Sequence, residues 1–302
     1  MERQICVQLS PSNHSVQSFV KRPNSFINPN YKGRILMEII QNLHKTFYVK
    51  NTVKDWIKTA RILSDWKNNS YRQVDLVFKT GEQFDNVYLG SAWSLINYYY
   101  WSQRLGGYNI DDLTKLNEIG NYIYSQLRDQ CGDNLQNNWG MQGTHGILYY
   151  VVRKYRPELF IETGVAHGYS SMVILSAMEK NNKGSLISVE LSQYFNICQN
   201  QKKVGWIVAE GLRNRWEIKY GKSSEVLPTI KEEADIFYHD SDHSESNMLF
   251  EFRWAAGRIR RDGIIISDDI DRNKSWKIFH KENSNLVPLI RTVTTGVSFL
   301  KK

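Results

Sequence analysis

No apolar run in the chain approaches the roughly 18–20 residues that a helix needs to cross a bilayer, so no membrane span is expected. The opening residues, MERQICVQLSPSNHS, lack the charged-then-apolar plan of a signal peptide. Cysteine is scarce. Cys6, Cys131 and Cys198 lie far apart and make no CxxC pair. That argues against a disulfide framework or a zinc cluster and favours a reducing cytoplasm. A concentrated basic block is also missing. Net charge is +8, yet residues 1–150 hold 16 Lys and Arg against 12 Asp and Glu, and residues 151–302 hold 23 against 19. Nucleic-acid recognition usually leaves a basic face. The densest group, Arg258, Arg260 and Arg261, is explained as well by a helix end. Neither membrane nor nucleic acid is therefore expected as a partner. There is no internal repeat and no low-complexity tract.

What is present suffices for one large core or two modest ones: 302 residues, 41% of them hydrophobic. The first thirty residues are polar, carry Pro11, Pro23 and Pro29, and read as an extended arm. From about Gly33 to Asn138 the pattern is helical. Ile35, Leu36, Ile39, Ile40 and Leu43 recur at helix spacing, as do Leu113, Leu116, Ile119, Ile123 and Leu127. The run Tyr98-Tyr99-Tyr100-Trp101 suits a core or an interface, and Gly106-Gly107 breaks the pattern. Residues 1–140 thus form a mostly helical N-terminal region.

After about residue 140 the character changes. GTHGILYYVVRKY (143–155) reads as a helix ended by Pro157. The β-rich runs LFIET, SLISVE, WEIKY, ADIFYH and GIIIS then alternate with segments 169–181, 193–213, 222–232 and 244–260, expected to be helical. Such alternation implies a parallel sheet covered on both faces. NLVPLIRTV and GVSFLK are separated only by Thr294-Thr295, too short for a parallel crossover, so they should form an antiparallel hairpin. The expected architecture is α/β, with five parallel strands and a terminal hairpin.

The first strand runs into FIETGVAHGYSS (160–171). A glycine-rich turn between strand and helix lets a ligand approach the backbone, and the helix N-terminus offers free N–H groups. A dinucleotide fingerprint begun at Gly164 would need glycine at 166 and 169, but the chain has Ala166 and Tyr169. The pattern that fits is E-x-G-x-G-x-G, with Glu162, Gly164, Ala166 replacing the middle glycine, and Gly168; Ser170 continues the loop. This resembles the S-adenosylmethionine loop of class I methyltransferases. Glu190, ending SLISVE, could accept hydrogen bonds from ribose hydroxyls. YGKSSEVLP (220–228) resembles the stretch after the third strand of such enzymes, which implies that Gly221 and Ser223 approach the adenine. The resemblance covers about residues 140–302. It implies a Rossmann-like seven-stranded sheet and S-adenosylmethionine as cofactor. It does not extend to residues 1–140, whose aromatics suit a substrate lid or an interface, such as that of a homo-oligomer.

FYHDSDHS (237–244) then acquires a second reading beside that of a solvated turn. Asp240 ends the fourth strand; Asp268 and Asp269 end the fifth, its expected neighbour. Three converging carboxylates repel, and a hard divalent cation removes that conflict. The arrangement resembles the metal-dependent O-methyltransferases, of the catechol and the macrolide-sugar and cephalosporin-pathway kinds. The resemblance implies Mg²⁺ on Asp240, Asp268 and Asp269, with Asp240 also facing the methyl donor. It makes His243, three residues after Asp240, the general base acting on the hydroxyl of a small-molecule acceptor from secondary metabolism. The alternatives are a metal-free methyltransferase acting on another nucleophile, in which Asp268-Asp269 are only caps, and a non-catalytic protein with a degenerate donor site; His243 could also merely cap the following helix.

Overall fold

The computed structural model describes residues 86–107, 109–132, 141–198 and 200–301. The expected arm and the apolar helix around residues 35–43 lie outside the described residues. Three helices lead in: α1 (Asn86–Leu105), α2 (Ile110–Cys131) and α3 (Gly143–Tyr155). Gly106 and Gly107, both at positive φ, end α1 where a side chain would be strained. Asn109 caps α2 by accepting from the Asp111 N–H, and Asp111 and Asp112 favour the positive end of that helix. The periodic residues Leu113, Leu116, Ile119, Ile123 and Leu127 are all buried. Tyr98 is buried too, as core.

Seven strands form one sheet: β1 (Leu159–Thr163), β2 (Ser185–Glu190), β5 (Trp216–Tyr220), β6 (Ala234–His239), β7 (Ile259–Ser267), β8 (Leu286–Arg291) and β9 (Gly296–Leu300). Their order is β5-β2-β1-β6-β7-β9-β8. The first five are parallel, and β9 runs antiparallel between β7 and β8. This is the expected sheet with its terminal hairpin. Period-2 alternation splits the apolar residues between two cores. Phe160, Leu186, Ile236, Tyr238, Ile264 and Ile266 face α1, α2, α3 and α4 (Tyr169–Asn181). Ile161, Ile187, Val189, Phe237 and Ile265 face α6 (Glu245–Arg258) and α7 (Ser275–Glu282). Both faces are covered, which is why the strands read as near-continuous apolar runs. The helices α1 and α2 share the first core with the sheet.

Three expectations are corrected. Segment 193–213 is not one helix. It holds a hairpin, β3 (Tyr194–Ile197) with β4 (Asn200–Lys203), and a 3₁₀ segment, Glu210–Arg215. Cys198 turns the hairpin at φ 54°, and Gly205 at φ 67° lies against the Trp216 ring, so the backbone leaves helical geometry twice. Segment 222–232 holds only the one-turn α5 (Ser223–Val226) and a 3₁₀ turn around Pro228. Finally, Cys131 and Cys198 form a disulfide, with Cα atoms 5.7 Å apart across 67 residues of sequence. Sequence distance hid a pairing that the fold creates by laying the hairpin on the end of α2. With Cys131 and Cys198 paired, cysteine usage no longer marks a reducing compartment. Among the described residues no helix is long and apolar enough to cross a membrane.

Candidate active site

The carboxyl edge of the parallel strands gathers the chemistry. After β1 the chain turns through Gly164 (φ 85°), Ala166 (φ 46°) and Gly168 (φ 92°) into α4. Gly164 is obligatory: a Cβ there would stand 1.9 Å from the Asp240 carbonyl oxygen, where the ends of β1 and β6 meet. Ala166 takes a left-handed conformation without being glycine.

Two carboxylates hold this loop. Glu162 is fully buried and accepts hydrogen bonds from the hydroxyls of Ser170 (2.5 Å), Ser171 (2.6 Å) and Ser188 (2.7 Å). Burial raises its pKa, and the three hydroxyls work against that rise. Glu162 lies beneath the loop and not on the cavity wall, so it positions β1, β2 and α4 where a ligand contact had been expected. Glu190 is at the edge. Its Oε2 accepts from the N–H groups of Val165 (2.8 Å) and Ala166 (2.9 Å), and its Oε1 from Leu191 (2.7 Å).

A cavity of about 880 Å³ opens over this edge. Of the expected cofactor-binding residues, Gly164, Ala166, Ser170, Glu190, Gly221, Ser223 and Asp240 line it; Gly168 lies behind them against Gly205. Ser223 donates to Asn247 (3.1 Å), which also lines the wall. Among the lining residues that sequence reasoning did not select are Gln142 and His145 at the start of α3, and His167 and Tyr169 at the loop. His167 stacks on Tyr169 and accepts from the Trp206 indole. The only sequence sign of the α3 pair was a histidine at a helix start.

The expected metal and base residues stand at the neighbouring strand ends. His239 and Ser267 are paired in β6 and β7, and the Asp268 N–H donates to the His239 carbonyl. Asp240 accepts from the Tyr238 hydroxyl (3.0 Å). Asp268 accepts from the Thr144 (2.9 Å) and Thr295 (3.3 Å) hydroxyls. Asp269, at φ 49°, pairs with Arg272 (3.0 Å). Burial and then the charge of Asp268 push Asp240 well above the usual carboxylate range. Burial and then Asp269 push Asp268 up to about 6. Such repulsion between buried carboxylates is what a divalent cation would relieve, so the donor set suits one chemically. Yet among the described residues no three such side chains are gathered closely enough to hold a metal.

His243 lies between two of these carboxylates, its Nε2 3.7 Å from Asp240 and its Nδ1 3.7 Å from Asp269. Burial, followed by His239, lowers its pKa. Neither Asp268, Asp269 nor His243 lines the cavity itself; Asp240, Ser241 and Asp242 do. His239 is fully buried, with Nδ1 2.6 Å from Glu251. Glu251 also accepts from Thr163, Ser241 and Asn247, tying β1, β6 and α6 together beneath the site.

Residues 161–270, from within β1 to just past β7, match the family model described as a methyltransferase domain. Those residues are a methyltransferase domain. Comparison with curated protein sequences returns no match. Among solved structures, the methyltransferase resembles cofactor-bound Rv0187 from MTB at 15% identity and a TM-score of 0.47, covering 73% of this chain and 100% of that one. It resembles the O-methyltransferase TomG from Streptomyces achromogenes, involved in tomaymycin synthesis and solved with SAM, at 16% and 0.47, covering 70% and 99%. It resembles an O-methyltransferase from Bacillus cereus, solved with SAH, at 17% and 0.46, covering 70% and 98%. Likenesses this distant say nothing of the substrate.

Proposed function

We propose that this methyltransferase transfers the methyl group of S-adenosylmethionine to a hydroxyl of a small-molecule acceptor. The observation that carries the reading is the meeting of the donor cavity with Asp240, beside which His243 stands between two carboxylates. Glu190 suits the ribose hydroxyls, Gly221 and Ser223 the adenine, and the loop 164–168 the amino-acid part. His243 is neutral at neutral pH because its pKa is lowered, and a neutral imidazole can take a proton. The acceptor hydroxyl gives its proton to His243, its oxygen attacks the methyl carbon, and the methyl–sulfur bond breaks to leave the thioether product. Holding the two partners at near-attack distance supplies much of the rate.

Asp240, Asp268 and Asp269 would have to draw closer together than they stand here to hold a divalent cation such as Mg²⁺, which when bound lowers the pKa of an acceptor oxygen. The N-terminal helices are read as a wall for the acceptor. In support, α1 crosses α3 so closely that a Cβ on Gly146 would meet the Ser94 backbone at 1.8 Å, and Ser94 donates to the Gln142 carbonyl beside the cavity. Incubation with radiolabelled methyl donor and a panel of hydroxylated acceptors, with and without chelator, tests the reading. Methyl transfer to a nitrogen or carbon acceptor alone would overturn the O-specific part.

A further inference from the structure

The glycine loop is gripped from two sides. On one, Glu190 accepts the N–H groups of Val165 and Ala166. On the other, the strip that follows the hairpin β3–β4 bonds to the loop. Gly205 donates to the Ala166 carbonyl (2.9 Å), Ile207 to the His167 carbonyl (3.3 Å), and the Trp206 indole to His167 Nδ1 (3.1 Å). The Phe195 ring of β3 stands edge-on to His167 at 4.4 Å, and Asn196 lines the cavity itself.

The hairpin that leads into this strip has little of its own to hold it. β3 and β4 form a two-stranded sheet separate from the seven-stranded one. Of their residues only Ile197 is buried. An isolated hairpin is marginally stable in water. Its turn residue Cys198 sits at φ 54°, which L side chains disfavour. What ties the turn down is the bridge to Cys131, at the end of α2, a helix whose Ile123 and Leu127 are fully buried in the core. One half of the bridge is within reach of solvent: Cys198 is exposed, whereas Cys131 is buried.

We propose that the Cys131–Cys198 bridge is a redox-sensitive tether that sets the affinity of the glycine loop for the methyl donor. This rests on the S-adenosylmethionine reading of the cavity. The reductant is a dithiol. One of its thiolates attacks Cys198 Sγ, the Sγ–Sγ bond breaks, and Cys131 leaves as a thiolate that takes up a proton. The second thiolate of the reductant then displaces Cys198, giving two protein thiols and the reductant's own disulfide. Freed at its turn, the hairpin no longer fixes the strip at its start, where the Val204 N–H donates to the Gln193 carbonyl. The rest of the strip stays anchored, because Arg213 donates to the Gly205 and Val208 carbonyls and Ile207 is fully buried. Reduction therefore loosens the loop without releasing it. A loop competent for about one-third to one-tenth of the time binds about 3- to 10-fold more weakly.

Calorimetry with S-adenosylhomocysteine on the full chain, before and after dithiothreitol, is the test. A gain of two titratable thiols shows that the bridge has opened. Affinity should fall by about 3- to 10-fold and return on reoxidation. Cys131→Ala should bind like the reduced wild type and ignore reductant. Hydrogen exchange should quicken at residues 165–168 and 194–207, with β1 and β6 unchanged. Equal affinity in the oxidised and reduced chains would overturn the proposal, as would a reductant response that survives Cys131→Ala. So would loss of the whole fold on reduction, read from near-ultraviolet circular dichroism, because the bridge would then support the fold and not the loop. If Cys131→Ala does not fold, Cys198→Ala takes its place under the same outcomes. Failure of the oxidised wild type to bind S-adenosylhomocysteine would instead remove the donor reading, a distinguishable result.

Discussion

The two ends of the site are built differently. At the donor end the carboxylates are spent on neighbouring donors: Glu162 on three serine hydroxyls, Glu190 on three backbone N–H groups. At the acceptor end they are left in conflict. Burial and then Asp268 raise the pKa of Asp240, burial and then Asp269 raise that of Asp268, and the buried Nε2 atoms of His239 and His243 have no hydrogen-bond partner among the described residues. A satisfied network fixes shape, whereas unsatisfied buried groups mark where something else must come. The donor end is a mould, and the acceptor end is a reactive edge. Changes at the first should act on binding and stability, changes at the second on turnover.

The largest effect is expected at His243. His243→Ala should lower turnover about 10²- to 10⁴-fold, the range for a positioned base, with donor affinity unchanged. The rate should rise with pH along a limb lying below the usual histidine range, because burial depresses this pKa, and the variant should lose that limb. If His243→Asn retains most of the turnover, the base is elsewhere. Chelation should suppress turnover with Mg²⁺ restoring it; Mg²⁺ should also raise the thermal midpoint of the wild type and not of Asp240→Asn.

Two changes probe the mould. Cys198→Ser opens the link between α2 and the hairpin that backs the glycine loop, whose next residues bond to it through Gly205 and Ile207. A cross-link closing 67 residues should stabilise by about 2–4 kcal/mol, measured by denaturant unfolding with and without reductant. Loss of that much in the wild type under reductant, and none in the variant, is the expected pattern. Glu190→Ala should then weaken S-adenosylmethionine binding by about 1.5–3 kcal/mol. Unchanged affinity by calorimetry would remove Glu190 from the ribose.

Much of this contrast was legible in the sequence. The strand directions follow from alternation and from the short link before Gly296, because connection length restricts strand direction; that β6 and β7 are neighbours came from the family resemblance. The loop pattern located Gly164 and Gly168, since backbone approach requires glycine locally, and the end of SLISVE located Glu190. What stayed hidden was non-local. Glu162 carries the loop motif, but only the arrival of Ser188 from β2 shows it as a buried anchor. The pairing of Cys131 with Cys198 depends on where a hairpin lands. His145 precedes the glycine loop by a whole helix and strand, and nothing in its neighbourhood announces a cavity. Segment 193–213 misled because its apolar residues, Ile197, Val204, Ile207 and Val208, are buried without helical geometry.

The two ends should also answer acid with opposite signs. Asp268 has a folded pKa raised to about 6, above the unfolded carboxylate value, so it takes up a proton on folding. Its contribution is present at low pH and lost as pH rises through about 6. His145 has a folded pKa lowered to about 4, below the unfolded imidazole value near 6.5. Its contribution is present above pH 6.5 and lost as pH falls toward 4. Each could shift stability by up to about 3 kcal/mol at roughly 1.4 kcal/mol per pH unit. Measured with chelator present, Asp268→Asn should remove a gain on acidification and His145→Gln should remove a loss. Slope changes of the same sign would contradict the burial assigned to one of them.

The smallest effect concerns Ala166. It holds φ 46° in a loop where its neighbours Gly164 and Gly168 meet the same demand as glycines. An L-residue in the left-handed region costs about 1–2 kcal/mol, because its Cβ crowds the following carbonyl. Glycine avoids that cost but gives the unfolded chain more freedom, worth about 0.4–1 kcal/mol the other way. Ala166→Gly should therefore stabilise the fold by about 0.5–1 kcal/mol, read as a higher denaturation midpoint at constant slope. Donor affinity should hardly change, since Glu190 still holds the loop through the backbone N–H groups of residues 165 and 166. A lower midpoint would mean that the loop does not carry this strain. Unchanged stability with tighter donor binding would mean that the strain is released only when the ligand arrives, and the donor end would then be less of a finished mould than its hydrogen bonds imply.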